Sequence, residues 1–200
     1  VNGESSVDPW DVDPRRFGAF ANKAYTKIKN EEAYEHIFVL HYPLEERGGA
    51  RPAKTSPIYD RLTALGAVWG QKFGWERPNW FAPKGTEPKD AYSFRRGNFF
   101  EAARAECKAV RERVGIQDLT GFSKFVVEGK GAEAMLDGLV ANKLPKGHLR
   151  TQLCHVLNSA GGVVSEFTIT RLGPQRFYIV SAPAAEAHDA MHAFSSTDIW

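Results

Sequence analysis

Cysteine, long apolar runs and net charge are all scarce in this chain, and each scarcity narrows what it can be. Two cysteines, Cys107 and Cys154, stand in 200 residues. That is too few for a disulfide framework and fits free thiols in a reducing compartment. No apolar run approaches the roughly 18 residues that cross a bilayer, and no signal-peptide pattern opens the chain. The formal charge is +2, with Lys and Arg interspersed among Asp and Glu. A nucleic-acid binder usually carries a concentrated basic stripe, which is missing here. Gly-x-Gly-x-x-Gly, the dinucleotide fingerprint, does not occur either. His188 and His192 are four apart, but no glutamate follows the first and no third ligand is suggested. The expectations are therefore no nucleic-acid partner, no membrane span and no metal, with His188 and His192 as surface histidines. The expected location is cytoplasmic, or the mitochondrial matrix in a eukaryote.

What is present is enough apolar material, 42% of residues, for a packed core of mixed helix and strand. Asp13-Pro14 has the form of an N-cap and N1 proline, with Phe17, Phe20, Ala21 and Ala24 at helical spacing. Ile37 to Tyr42 reads as a short buried strand, and residues 45–57, rich in Gly and Pro, as a loop. Ser56-Pro57 opens a second helix carrying Tyr59, Leu62, Leu65 and Val68. In the aromatic stretch 73–83, Pro78 and Pro83 argue against a regular ladder. Residues 84–98 are polar and read as a linker, which places a domain boundary between residues 1–84 and 85–200.

The second half is more regular. Phe100, Ala103, Cys107, Val110 and Val114 make one helical stripe ending near Gly115. A strand at 124–128 and a helix from Ala132 to Val140 follow. Three strands, 149–157, 163–171 and 176–181, then form a meander, and a helix runs from Ala184 to Phe194. Val1 is not an initiator methionine and Trp200 leaves an aromatic on a bare end; the chain reads as a segment of something longer.

Several stretches resemble a known family, the folate-dependent demethylating dehydrogenases of methylated glycines (dimethylglycine and sarcosine dehydrogenases). Asp11-Val-Asp-Pro-Arg-Arg-Phe17, Arg51-Pro-Ala-Lys-Thr-Ser-Pro-Ile-Tyr-Asp-Arg-Leu62 and Phe73-Gly-Trp-Glu-Arg-Pro-Asn-Trp-Phe81 are similar to the segments that lie after its flavin domain. Gly115-Ile-Gln-Asp-Leu-Thr-Gly-Phe-Ser-Lys-Phe125, Ala141-Asn-Lys-Leu-Pro145 and Gly161-Gly-Val-Val-Ser-Glu-Phe-Thr-Ile-Thr-Arg-Leu172 resemble the opening of its aminomethyltransferase-like (glycine cleavage T-protein) domain. The resemblance implies an α+β chain. The tail of an FAD-dependent oxidoreductase central domain would be followed by the N-terminal half of a T-protein-like folate-binding domain. It implies tetrahydrofolate as a cofactor, FAD held mainly by a domain outside this chain, and a small N-methylated amine as substrate. A dehydrogenase read this way is the longer polypeptide, and the isolated segment is expected to be inactive. Two alternatives stay open, a flavin-free folate-dependent aminomethyltransferase or demethylase, and a noncatalytic folate-fold assembly module.

The same resemblance implies roles for particular residues. Asp118 matches a carboxylate beside the transferred one-carbon unit, where it can stabilise a developing iminium or protonated amine; its plainer role is an Asx turn after a helix. Along 163–171, Glu166, Thr168 and Thr170 alternate with Phe167 and Ile169. In the family this strand lines the folate pocket, so Glu166, Thr168, Ile169 and Thr170 are the cofactor-binding candidates. Glu166 would accept from pterin N–H groups. Asn142 suits a helix C-cap, and His155, alternating with Leu153 and Leu157, is expected to face the core or pocket. Trp75 and Trp80 flank Arg77 in an order that favours cation–π stacking. The basic loop Arg51–Lys54 is expected to be solvated.

Overall fold

A computed structural model describes residues 9–192. Contacts divide the chain into two units, residues 19–121 and a second in which the residues up to Gly18 join those from Phe122 onward.

Within 19–121, helix α1 (Lys23–Glu35) begins where Asn22 accepts from the backbone amides of Ala24 and Tyr25 at 3.0 and 3.1 Å. Satisfying two otherwise orphaned amides is what fixes a helix start. In the other unit, the helix expected from Asp13 is a short 3-10 turn, Pro14–Phe17; Asp13 does cap it, but Gly18 at φ 75° ends it. Ile37 to Tyr42 is not a buried strand. Its backbone closes turns, Ile37 N–H to Tyr34 O and Val39 N–H to His36 O, and Phe38 is 96% exposed. A strand needs a partner ladder for its amides, and none pairs with this segment among the described residues.

Helix α2 (Tyr59–Ala64) is shorter than its apolar spacing predicts, because Val68 belongs to the next element. Strands β1 (Ala67–Lys72) and β2 (Trp75–Phe81) form an antiparallel hairpin. The turn residues Phe73 and Gly74 have φ 46° and 81°, the positive pair that a tight hairpin turn requires. Pro78 therefore sits inside a strand after all. Its place is a register shift, since Val68 faces Trp80 while Trp69 faces Pro78. At such a bulge on a two-stranded ribbon the missing amide costs no ladder bond. Residues 84–98 hold no helix or strand. Helix α3 (Phe100–Glu112) follows, and Phe99 and Ala102 pack on the small core of Val68, Trp80 and Ala82. That contact uses a different side of α3 from the expected apolar stripe, which leaves Val110 and Val114 exposed.

The second unit is built on a four-stranded antiparallel sheet. Strands β3 (Ser123–Glu128), β4 (Thr151–Leu157), β5 (Val163–Gly173) and β6 (Arg176–Ser181) stand in the order β3-β6-β5-β4. Helix α4 (Ala132–Leu139) joins β3 to β4 and contributes Leu136 and Ala132 to the core. Period-2 alternation sends Phe167, Ile169, Phe177, Ile179 and Cys154 to the same face, and all five are fully buried. Each large apolar side chain buried in this way contributes about 1.5–3 kcal/mol. The β4–β5 turn is held by Asn158, whose side-chain oxygen accepts from Ala160 and Gly162 amides at 3.0 and 2.8 Å. Helix α5 (Glu186–His192) closes the described chain, so Phe194, in the expected last helix, lies outside it.

Candidate functional site

The face of the sheet opposite the core carries the polar side chains of β5. On β5 it presents Glu166, Thr168 and Thr170; opposite them on β4 are His155, Leu153 and Thr151. On β6 the same face continues with Val180 and Tyr178, and on β3 with Lys124 and Val126. Leu153 is 50% and Val126 52% exposed. The surface thus alternates acceptors and hydroxyls with uncovered apolar side chains.

Cross-strand contacts set its details. His155 Nε2 and Glu166 Oε2 are 3.0 Å apart, and the Thr151 and Thr170 hydroxyls 2.8 Å. His155 accordingly faces this open side and not the core. Thr168 stands between Leu153 and Val180. Ile169 behaves differently. Its side chain is fully buried in the core, and it pairs with Gln152 on one side and Ile179 on the other.

Two devices hold β5 and β4 in place. Arg171, two residues past Ile169 and on the inward side, is 8% exposed. Its Nε donates to Pro145 O at 2.6 Å and its Nη2 to Glu133 Oε1 at 2.5 Å, while the guanidinium lies 4.7 Å from the Phe177 ring centroid. The Arg171 hydrogen bond holds the Glu133 carboxyl below the usual carboxylate range. Asn142 does not cap α4, whose C-cap is Val140. Instead its Nδ2 donates to Leu153 O at 3.0 Å and its Oδ1 accepts from His155 N at 3.1 Å. The side chain serves as a missing strand along the outer edge of β4. It also touches Cys154, whose thiol burial pushes up against the opposing pull of that contact.

Asp118 lies in the 19–121 unit, in the loop after α3. It is partly buried, and its Oδ1 accepts from the Thr120 amide at 2.9 Å. The Asx turn is therefore formed, and it fixes the carboxylate's direction. The neighbouring Ile116 is 97% exposed.

Other expectations are redrawn. His188 is not a surface residue: it is 7% exposed, with its ring 5.3 Å from that of Trp10 in an edge-to-face pair. Trp75 takes its cation from Lys54, whose Nζ is 5.2 Å from the indole centroid, and not from Arg77. Arg51 is not solvated. It makes a two-pronged pair with Glu76, which is itself buried. Among the described residues no group of three or more His, Cys, Asp or Glu could hold a metal ion, and no helix is long and apolar enough to cross a membrane. Arg171 and its partners escaped the sequence reading, though the signal was there. The alternation Phe167, Ile169, Arg171 places a cation on the buried face, where it must find an anion.

Residues 58–197 match the model of the GCVT N-terminal domain, and residues 2–56 that of the FAD dependent oxidoreductase central domain. This chain belongs to the GCVT N-terminal domain family. The family domain therefore includes the β1–β2 hairpin, the Asp118 loop and the whole four-stranded sheet. Over 190 residues the chain is 36% identical to the mitochondrial dimethylglycine dehydrogenase of Mus musculus, covering 94% of this chain and 22% of that protein. It is 32% identical over 198 residues to the mitochondrial pyruvate dehydrogenase phosphatase regulatory subunit of Mus musculus, again 94% of this chain and 22% of that protein. The chain thus spans under a quarter of the length of these relatives. Among solved structures, the glycine cleavage system aminomethyltransferase T from Bartonella henselae superposes with a TM-score of 0.53 at 20% identity. That match covers 74% of this chain and 36% of the other, and it shows that the two share a fold.

Proposed function

We propose that this chain is part of an FAD- and tetrahydrofolate-dependent demethylating dehydrogenase of N-methylated glycines, dimethylglycine or sarcosine. In this reading it supplies part of the folate site that captures the one-carbon unit as 5,10-methylenetetrahydrofolate. The observation that carries the reading is the order of two matches in one chain, an FAD dependent oxidoreductase central domain and then a GCVT N-terminal domain. The likeness to dimethylglycine dehydrogenase over 94% of the chain supports it.

The open face of the sheet fits a pterin by its chemistry. Glu166 offers a carboxylate to ring N–H donors, Thr168 and Thr170 offer hydroxyls, and Leu153 and Val126 offer apolar contact. Ile169 serves as the spacer that keeps Thr168 and Thr170 on the ligand side, because its own side chain is buried beneath them. His155 orients Glu166. When bound, the flavin supplies hydride removal from the N-methyl group and the folate supplies the nitrogen that accepts the carbon. No residue of this chain is assigned to FAD. Asp118, its direction set by the Thr120 amide, contributes negative charge where a cationic nitrogen develops.

Replacing Asp118 with Asn in the full-length polypeptide tests this division of labour. Methylenetetrahydrofolate yield should fall about 100-fold while amine oxidation and flavin reduction continue unchanged. Equal loss of both would contradict it. The likeness to a phosphatase regulatory subunit favours a second reading, a noncatalytic module. Under it, Asp118→Ala leaves turnover and folate affinity untouched.

A further inference from the structure

A cavity of about 360 Å³ lies within residues 43–99, apart in sequence from every residue assigned above. Its apolar wall comes from Leu44, Trp80 and Phe99, and its polar lining includes Glu46, Asp90, Arg77 and Arg95.

The charges on this lining are unusual in how they are partnered. Glu45, also on the lining, is balanced by Arg47 at 3.8 Å and His41 at 3.4 Å. Glu46 makes no direct ion pair with a residue of this lining; the cation that feels its charge is Arg51, which is already bound to Glu76. The Glu46 oxygens accept only from the Gln71 amide at 3.2 Å and the Asn79 side chain at 3.1 Å. Asp90 accepts from the indole N–H of buried Trp80 at 2.8 Å and from no cation. Arg77 and Arg95 form no side-chain hydrogen bond or ion pair among the described residues. Two partly buried carboxylates and two guanidinium groups therefore share one cavity without pairing with each other. A carboxylate has about four acceptor positions, so both acids keep capacity after the contacts named.

We infer that this cavity binds a small zwitterion of the amino-acid class. Its carboxylate lies on Arg77 and Arg95, its ammonium group on Glu46 and Asp90, and its side chain against Leu44, Trp80 and Phe99. The lining is neutral overall once Glu45 is discounted, so a ligand with a single charge leaves one pair of opposite wall charges unanswered. Arginine suits the carboxylate end because its planar fork meets both oxygens. Aromatic walls favour an ammonium carbon skeleton through both apolar contact and ring electrostatics. The volume lies within the range of small-molecule sites, and it exceeds what a glycine-sized molecule fills, which selects an apolar side chain. This site is independent of the folate reading and adds a second ligand to the chain.

Calorimetric titration of the full-length polypeptide with L-leucine, 4-methylpentanoate and isoamylamine tests it. The last two keep the branched skeleton and one charge each. Leucine should bind, with each singly charged analogue at least tenfold weaker. The double variant Arg77→Gln, Arg95→Gln should lose leucine binding while keeping its melting temperature, since neither guanidinium holds a partner. Equal binding of 4-methylpentanoate would make this an anion site, and equal binding of isoamylamine a cation site; either overturns the inference. So does failure of all three probes, or leucine binding that survives the double substitution.

Discussion

Arg171 occupies an inward position of β5 beside the buried side chains of Ile169 and Phe177, and its charge is answered by Glu133 from α4 and by the Pro145 carbonyl. The consequence shows in pH. Glu133 is held below its ordinary value near 4.5, first by the Arg171 hydrogen bond. A carboxyl whose folded pKa lies below its unfolded one binds fewer protons when folded. Its stabilisation is present above the unfolded value and is lost as pH falls through the folded one. Between about pH 5 and about pH 3 the urea midpoint of the native chain should drop more steeply than that of Glu133→Gln, and the two should converge in acid. Parallel curves would show that the pair does not titrate with folding.

At the scale of elements, β4 is an edge strand, and natural sheets cover or blunt such edges. Asn142 covers this one by standing in for a strand, with Leu153 O and His155 N as its partners. Asn142→Ala should cost about 0.5–1.5 kcal/mol, since water can reach the strand edge it leaves, and the His155 amide should exchange with deuterium faster while the β5–β6 amides do not. The sheet itself was legible in the sequence, because Glu166, Thr168 and Thr170 alternate with Phe167 and Ile169 on β5 and the turns that flank it carry Asn, Gly and Pro. Less legible were the parts ruled by a partner. Ile37 to Tyr42 has a strand's composition but no ladder. Pro78 signals a break until the bulge opposite Val68 and Trp69 gives it a place. Asn142 suited a C-cap in sequence, and only the approach of β4 gave its amide other partners. Of the site residues, the orientation of Glu166, Thr168 and Thr170 followed from period 2. Asp118 showed its turn chemistry in sequence, whereas the pairing of His155 with Glu166 needed the β4–β5 register.

At the scale of the whole molecule, some of the large apolar side chains are almost fully uncovered. Phe38 and Leu40 are 96% and 79% exposed, and Ile116 97%. Surfaces of this kind drive association when left in water. Phe38→Ser in the isolated 200-residue chain should raise the concentration at which it stays monodisperse in light scattering, with no fall in its melting temperature. A lower melting temperature would mean that Phe38 is buried in solution.

The unit holding the sheet is discontinuous in sequence, since the stretch up to Gly18 joins it across the whole of 19–121. Trp10 reaches its partner His188 only after α5 exists. Closing a loop of roughly 180 residues costs about 5 kcal/mol of chain entropy, and the contact that closes it cannot form until α5 has been made. The 19–121 unit is contiguous and has no such wait. As the chain leaves the ribosome, every residue of the aromatic hairpin is therefore available before the sheet is, and the docking of Trp10 has to wait for α5.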